Sequence, residues 1–168
     1  MSTTTIKAVW PGEKVEDLEE LRNSWGGAHI VWDYMCRRYI GTGANSMSYA
    51  DHVWPLARRS DVPLHLRSIL AMTFDRTYVL KKDYARAASD IEAFLRDAGI
   101  PSGRVSHWSR IAEIFRSDPD VPAIGFHWTS VSDDLFCGEW DDAREEHRPL
   151  DWSRFWSLYD DPALRLGQ

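Results

Sequence analysis

Hydrophobic positions along the chain change period several times, and each change marks an element. Ala28, Val31, Trp32, Met35 and Tyr39 recur at helical intervals, with Arg37 and Arg38 off the stripe. Trp25-Gly26-Gly27 breaks the chain before this run and Gly41-Thr42-Gly43 caps its end. A short helix from Ser46 or Ser48 through Trp54 is interrupted by Pro55. Another starts at Ser60 or Asp61, tolerates Pro63 in its first turn, and sets Val62, Leu66, Ile69, Leu70 and Thr73 on one side. The clearest helical period follows Asp83: Tyr84, Ala87, Ala88, Ile91, Phe94, Leu95 and Ala98, closed by Gly99 and Pro101. Ser106 caps a shorter helix that buries Trp108, Ile111, Ala112 and Phe115, and His107 helps its start.

Other stretches have a different period. Arg76 to Lys81 is β-branched and aromatic without a helical stripe, so a strand is expected. From Ala123 to Val131 the period is two, with Ile124, Phe126 and Trp128 on one face and Gly125, His127 and Thr129 on the other. Leu135-Phe136-Cys137 suggests a second short strand. Residues 1–12 read as an extended lead-in closed by Pro11-Gly12. Val15 to Asn23 reads as a short helix with Glu16, Asp17, Glu19 and Glu20 in solvent. After a polar loop, Asp151 caps a final helix whose Trp152, Phe155, Trp156 and Tyr159 share one all-aromatic face. The expected architecture is one α+β domain over residues 1–168. It is mostly helical, with about six helices and a small antiparallel sheet of two or three strands.

Composition narrows the class. A chain of 168 residues, 43% hydrophobic and 27% charged, has the balance of a globular domain. A net charge of −6 argues against direct nucleic-acid binding through a generally basic surface. Cys36 and Cys137 are too few for a disulfide framework, the N-terminus has no apolar signal core, and no apolar run reaches membrane-span length. A cytoplasmic location without membrane contact is therefore expected. Arginine outnumbers lysine 16 to 4, the bias of a GC-rich bacterial or phage genome.

Charge is unevenly spread. Residues 1–117 hold 16 bases and 14 acids, whereas residues 118–168 hold 4 bases and 12 acids. Most of that acid lies in Asp133, Asp134, Glu139, Asp141, Asp142, Glu145, Glu146 and Asp151, interleaved with Trp140 and Trp152. A solubility loop needs no tryptophan; an interface uses it as an anchor. Residues 58–116 carry 11 bases and 7 acids, including Arg58-Arg59 and Lys81-Lys82, which read as ordinary charged faces.

Catalytic signatures are sparse. No histidine pair has the i, i+4 spacing of zinc hydrolases, and the glycine turns lack phosphate-loop and dinucleotide endings. No nucleophile elbow occurs. His127 is the best single candidate, since it projects from a strand beside Asp133, Asp134 and Glu139 and with them could form a metal or acid–base site. The leading expectation is a non-enzymatic interaction protein without cofactor or metal. Its partner would be a basic protein, in the most specific version a nucleic-acid-binding one that it inhibits as an acidic mimic. The partner-binding residues would be Asp133, Asp134, Glu139, Trp140, Asp141, Asp142, Glu145, Glu146, Trp152 and Trp156. The last helix's aromatic face would pack into the core of the domain, or dock into a partner or a second copy as a homodimer. The alternatives are a small metal-dependent enzyme using His127 and a structural subunit of a larger assembly.

Overall fold

Thr4, Ile6 and Ala8 alternate with Thr5, Lys7 and Val9, and this two-residue period makes an interior strand rather than a lead-in. The computed structural model describes residues 3–23, 26–41, 43, 51–100, 106–128 and 133–165. Strand β1 (Thr3–Trp10) lies between β2 (Lys14–Arg22) and β4 (Ala123–Trp128). β3 (Thr77–Leu80) flanks β4, and β7 (Trp156–Ser157) closes the order β2-β1-β4-β3-β7. Neighbours are antiparallel except β3 and β7, which run parallel. A separate two-stranded ribbon joins β5 (Trp140–Asp141) to β6 (Glu146–His147). Five helices are set out among the described residues, where about six were expected: α1 (Ala28–Tyr39), α2 (Leu64–Met72), α3 (Tyr84–Asp97), α4 (His107–Arg116) and the short α5 (Pro162–Arg165). The class is α+β, but the expected small antiparallel sheet of two or three strands is overturned by a five-stranded mixed sheet plus the ribbon.

The largest correction is the hairpin at the N-terminus. The segment read as an acidic helix is β2, joined to β1 through a turn in which Pro11 presets the bend and Gly12 takes φ +86. Ile6 pairs with Glu19 but Lys7 pairs with Asp17, so Leu18 is an extra residue, a β-bulge. The bulge switches the faces of β2. Val15 and Asp17 lie on one side of the sheet; Glu19 and Leu21 lie on the other, where Arg110 of α4 grips Glu19 bidentately at 2.8 and 2.9 Å. A strand that swaps faces midway shows no clean alternation, and its acids then mimic a solvated helix.

Helices α1 to α4 cover the face carrying Ile6, Val79, Ile124, Phe126 and Trp128. Trp108 and Trp128 stack with centroids 5.2 Å apart, and Phe126 stacks on Trp128 at 5.5 Å. Each buried indole N–H has an acceptor: Trp108 donates to Gly27 O (2.8 Å), Trp128 to Met72 O (3.1 Å) and Trp32 to Thr73 Oγ1 (2.9 Å). Large apolar area is thereby buried without stranding a donor. The helix expectations from the 3.6 period correspond closely for α1, α3 and α4, whereas α2 begins at Leu64 with Pro63 as its N-cap rather than at Ser60 or Asp61. α4 carries a capping box between Ser106 and Ser109, and α3 ends at Gly99 (φ +65) with Ile100 N–H on Leu95 O. The expected helix from Ser46 or Ser48 lies largely outside the described residues, as do positions 129–131 of the expected long strand.

Two further expectations fail after Trp128. Leu135–Cys137 is a 3-10 turn capped by Asp134, not a strand. The final aromatic helix does not form: Trp152–Arg154 is a 3-10 turn, Trp156–Ser157 is β7, and Leu158–Asp160 is another 3-10 turn. Its four aromatics go to three places. Trp152 and Phe155 pack under the sheet with Phe136, Tyr159 sinks into the helix-side core, and Trp156 stays 36% exposed. Local periodicity lost to the docking of β7 on β3, which needs an extended backbone at Trp156.

Gly27 is where the core approaches the backbone most closely among the helix-side glycines. A Cβ there would stand 2.6 Å from the Trp128 ring and 2.9 Å from Thr4 Oγ1. Gly27→Ala should destabilise the protein by about 1–3 kcal/mol, through overpacking, in urea unfolding. Gly41→Ala, which meets nothing within 4 Å, should change stability far less.

Candidate functional site

Alternation in β1 points Lys7 to the face away from the helices, where it is only 4% exposed. A buried ammonium must find partners, and Lys7 has two. Its Nζ lies 2.6 Å from Asp17 Oδ1, brought opposite by the bulge, and 2.6 Å from Asp134 Oδ2. Asp134 is the hub. Its Oδ1 accepts the Phe136 N–H (3.0 Å), its Oδ2 accepts the Cys137 thiol (3.2 Å), and His127 Nδ1 stands 3.7 Å away. Phe136, next along, packs against Gly125, where a Cβ would lie 2.6 Å from its ring. Residues 133–137 are therefore pinned to the sheet by one charge cluster and one ring.

The electrostatics follow from that contact. Burial disfavours a charged Asp134, but the hydrogen bonds from Lys7 and Cys137 outweigh it and hold the carboxyl below its ordinary range. Burial likewise opposes the Lys7 charge, and Asp134 and Asp17 reverse the effect, so its ammonium is held above the usual lysine range. Burial and the adjacent Asp134 push the Cys137 thiol up. Cys137 thus stays a protonated donor rather than a thiolate nucleophile. The positive charge facing Asp134 is an ammonium, and among the described residues no three His, Cys, Asp or Glu side chains are placed to share a metal.

Beyond this anchor the chain forms the ribbon. Trp140 pairs with His147 and Asp141 with Glu146 across β5 and β6, and Glu145 in the connecting turn takes φ +53. Trp140 is 54% exposed, with its ring edge-on to His147 at 5.1 Å. Beside the ribbon runs a cleft of about 710 Å³, lined by Leu135, Leu150, Phe155 and Trp140 among apolar groups, by Asp133, Asp134, Glu139 and Asp151 among acidic ones and by Arg76, Arg148 and Arg154 among basic ones.

The expected binding residues divide accordingly. Asp133, Asp134, Glu139 and Trp140 come together at the cleft, while Asp142, Glu145 and Glu146 lie exposed along the ribbon's turn and second strand. Asp141 turns to Arg148 (3.1 Å) and caps Ala143 N–H. Trp152 packs beside Phe155, 5.3 Å between centroids, and Trp156 lines a separate hollow with Trp54 and Phe74. Sequence reasoning missed Lys7, Asp17 and Cys137. One signal was visible: a lone lysine inside an otherwise uncharged β-type run, which an interior strand accommodates only with a carboxylate nearby. No family model, curated protein or solved structure matches the chain.

Lys7→Met should cost about 1–3 kcal/mol by leaving Asp134 without its ammonium, and Lys7→Met/Asp134→Asn should cost less than the two single changes added together. Urea unfolding of the four species measures the coupling. Asp134 titrates below its ordinary value, so its contribution is intact at neutral pH and disappears as acid protonates it, from about pH 4 downward. Asp134→Asn should flatten stability over that interval relative to the unaltered chain.

Proposed function

We propose that the chain is a non-enzymatic interaction protein that holds a basic partner on the acidic ribbon and the cleft beside it. The observation that carries this reading is Trp140: a large aromatic, 54% exposed, on a two-stranded ribbon whose turn carries Asp142 and Glu145. An exposed indole has no value to solubility, and a desolvated one is a common source of binding energy. Asp133, Asp142 and Glu145 have no ion-pair partner among the described residues, so local arginines leave a negative remainder. Such a field speeds encounter with a cationic surface. A basic nucleic-acid-binding protein, inhibited by occupation of its phosphate-binding groups, is the most specific partner class in this reading.

The test compares the unaltered chain with a variant carrying Trp140→Ala together with Asp142→Lys, Glu145→Lys and Glu146→Lys. Affinity for a partner recovered from host lysate should drop at least about tenfold. Its dependence on salt should also weaken, while the melting temperature stays unchanged. Equal affinity with equal salt dependence would remove the ribbon as the binding surface.

A further inference from the structure

We infer that the cleft beside the ribbon receives an apolar side chain from a short, extended, arginine- or lysine-bearing segment of the partner. The inference rests on the interaction reading above and narrows the partner from a basic surface to a basic linear segment with an apolar anchor. Three observations support it.

The first is shape. About 710 Å³ falls within the ~300–1,000 Å³ of cavities that enclose small ligands. A flat cationic surface cannot fill such a volume; a side chain on a protruding strand or tail can. The second is chemistry. Leu135, Leu150 and Phe155 give the cleft an apolar lining, and Phe155 is backed by Phe136 at 5.1 Å and Trp152 at 5.3 Å, so the wall is supported from behind. Filling it with an apolar group removes that lining from water, whereas an acidic surface alone gives steering and little holding energy.

The third observation is charge. Three of the cations near the cleft are already engaged: Arg148 with Asp141 at 3.1 Å, Arg154 with Glu139 at 3.7 Å, and Lys7 with Asp134 at 2.6 Å. Arg76 and Arg154 both help hold the Asp151 carboxyl low, although the hydrogen bond from Ser153 is the larger cause. Among the described residues, Asp133 at the cleft and Asp142 and Glu145 on the ribbon have no ion-pair partner, against Arg76 alone among the lining arginines. A segment entering past Trp140 therefore gains from basic residues on both sides of its anchor, and an acidic one is repelled. Trp140 at the lip can also cover a guanidinium with its indole face.

Calorimetric titration with two amidated peptides, Arg-Arg-Leu-Arg-Arg and Arg-Arg-Ser-Arg-Arg, tests the inference on the unaltered chain. The leucine peptide should bind about tenfold tighter or better. Leu150→Asp, which adds a negative charge while removing apolar wall, should abolish that preference with the fold retained by circular dichroism. Equal binding of both peptides by the unaltered chain, or a leucine preference that Leu150→Asp keeps in full, would overturn the cleft as an anchor site and leave the acidic surface standing. Absence of binding by either peptide up to millimolar concentration at low salt would overturn the inference and the basic-partner reading together. The peptide comparison needs no variant, so a failure of Leu150→Asp to fold does not remove the test.

Discussion

A single buried ammonium organises the side of the sheet away from the helices. Lys7 sits in the middle of an interior strand, 4% exposed, where an unpaired charge would be prohibitively costly. Its two carboxylates come from opposite directions, Asp17 from the neighbouring strand and Asp134 from more than a hundred residues later in the chain. The bulge at Leu18 places the first; the turn after residue 132 places the second. Without the charge, Asp17 loses its partner and Asp134 keeps its hydrogen bonds from the Phe136 N–H and the Cys137 thiol. The ribbon and cleft are thus held on the sheet by this charge cluster together with a small apolar cluster of Val9, Ala123 and Phe136, against which Trp152 and Phe155 pack.

The opposite face follows other rules. It is built from stacked aromatics and regular helices, with polar atoms of the indoles satisfied by backbone or threonine oxygen. His107 belongs to that scheme, bridging Thr4 Oγ1 at 3.0 Å and the Arg22 carbonyl at 2.9 Å, and so ties α4 to both strands of the hairpin. The sheet therefore separates a rigid apolar body from a charged, ribbon-bearing side. The proposed binding surface can vary in charge without disturbing the main core.

Legibility in the sequence follows this division. Segments that bury one continuous stripe were readable: α1, α3, α4 and the alternation of Ile124, Phe126 and Trp128 in β4. Each makes its contacts with one face, so a single period describes it. β2 was unreadable because the bulge reverses its alternation between Asp17 and Glu19. The stretch from Trp152 to Tyr159 misled for the converse reason. Its aromatics have helical spacing, yet they are drawn to three separate environments by contacts with β3, Phe136 and Asp90, which accepts the Tyr159 hydroxyl at 2.7 Å. Of the site, the acidic residues and Trp140 could be named from composition alone. The cluster that positions them could be named only in part: His127 and Asp134 stand together as expected, whereas Lys7 and Asp17 join them only through long-range strand pairing.

The extra residue in β2 has an implication for how the hairpin tolerates changes in length. A strand pinned on both faces normally cannot gain or lose one residue, because every side chain beyond the change would invert. At Leu18 the inversion is already built in. Excising that leucine would leave an uninterrupted ladder in which Asp17 still meets Lys7 and Glu19 still meets Arg110. The hairpin therefore holds one site where chain length is uncoupled from side-chain orientation. A natural single-residue deletion there would be structurally silent.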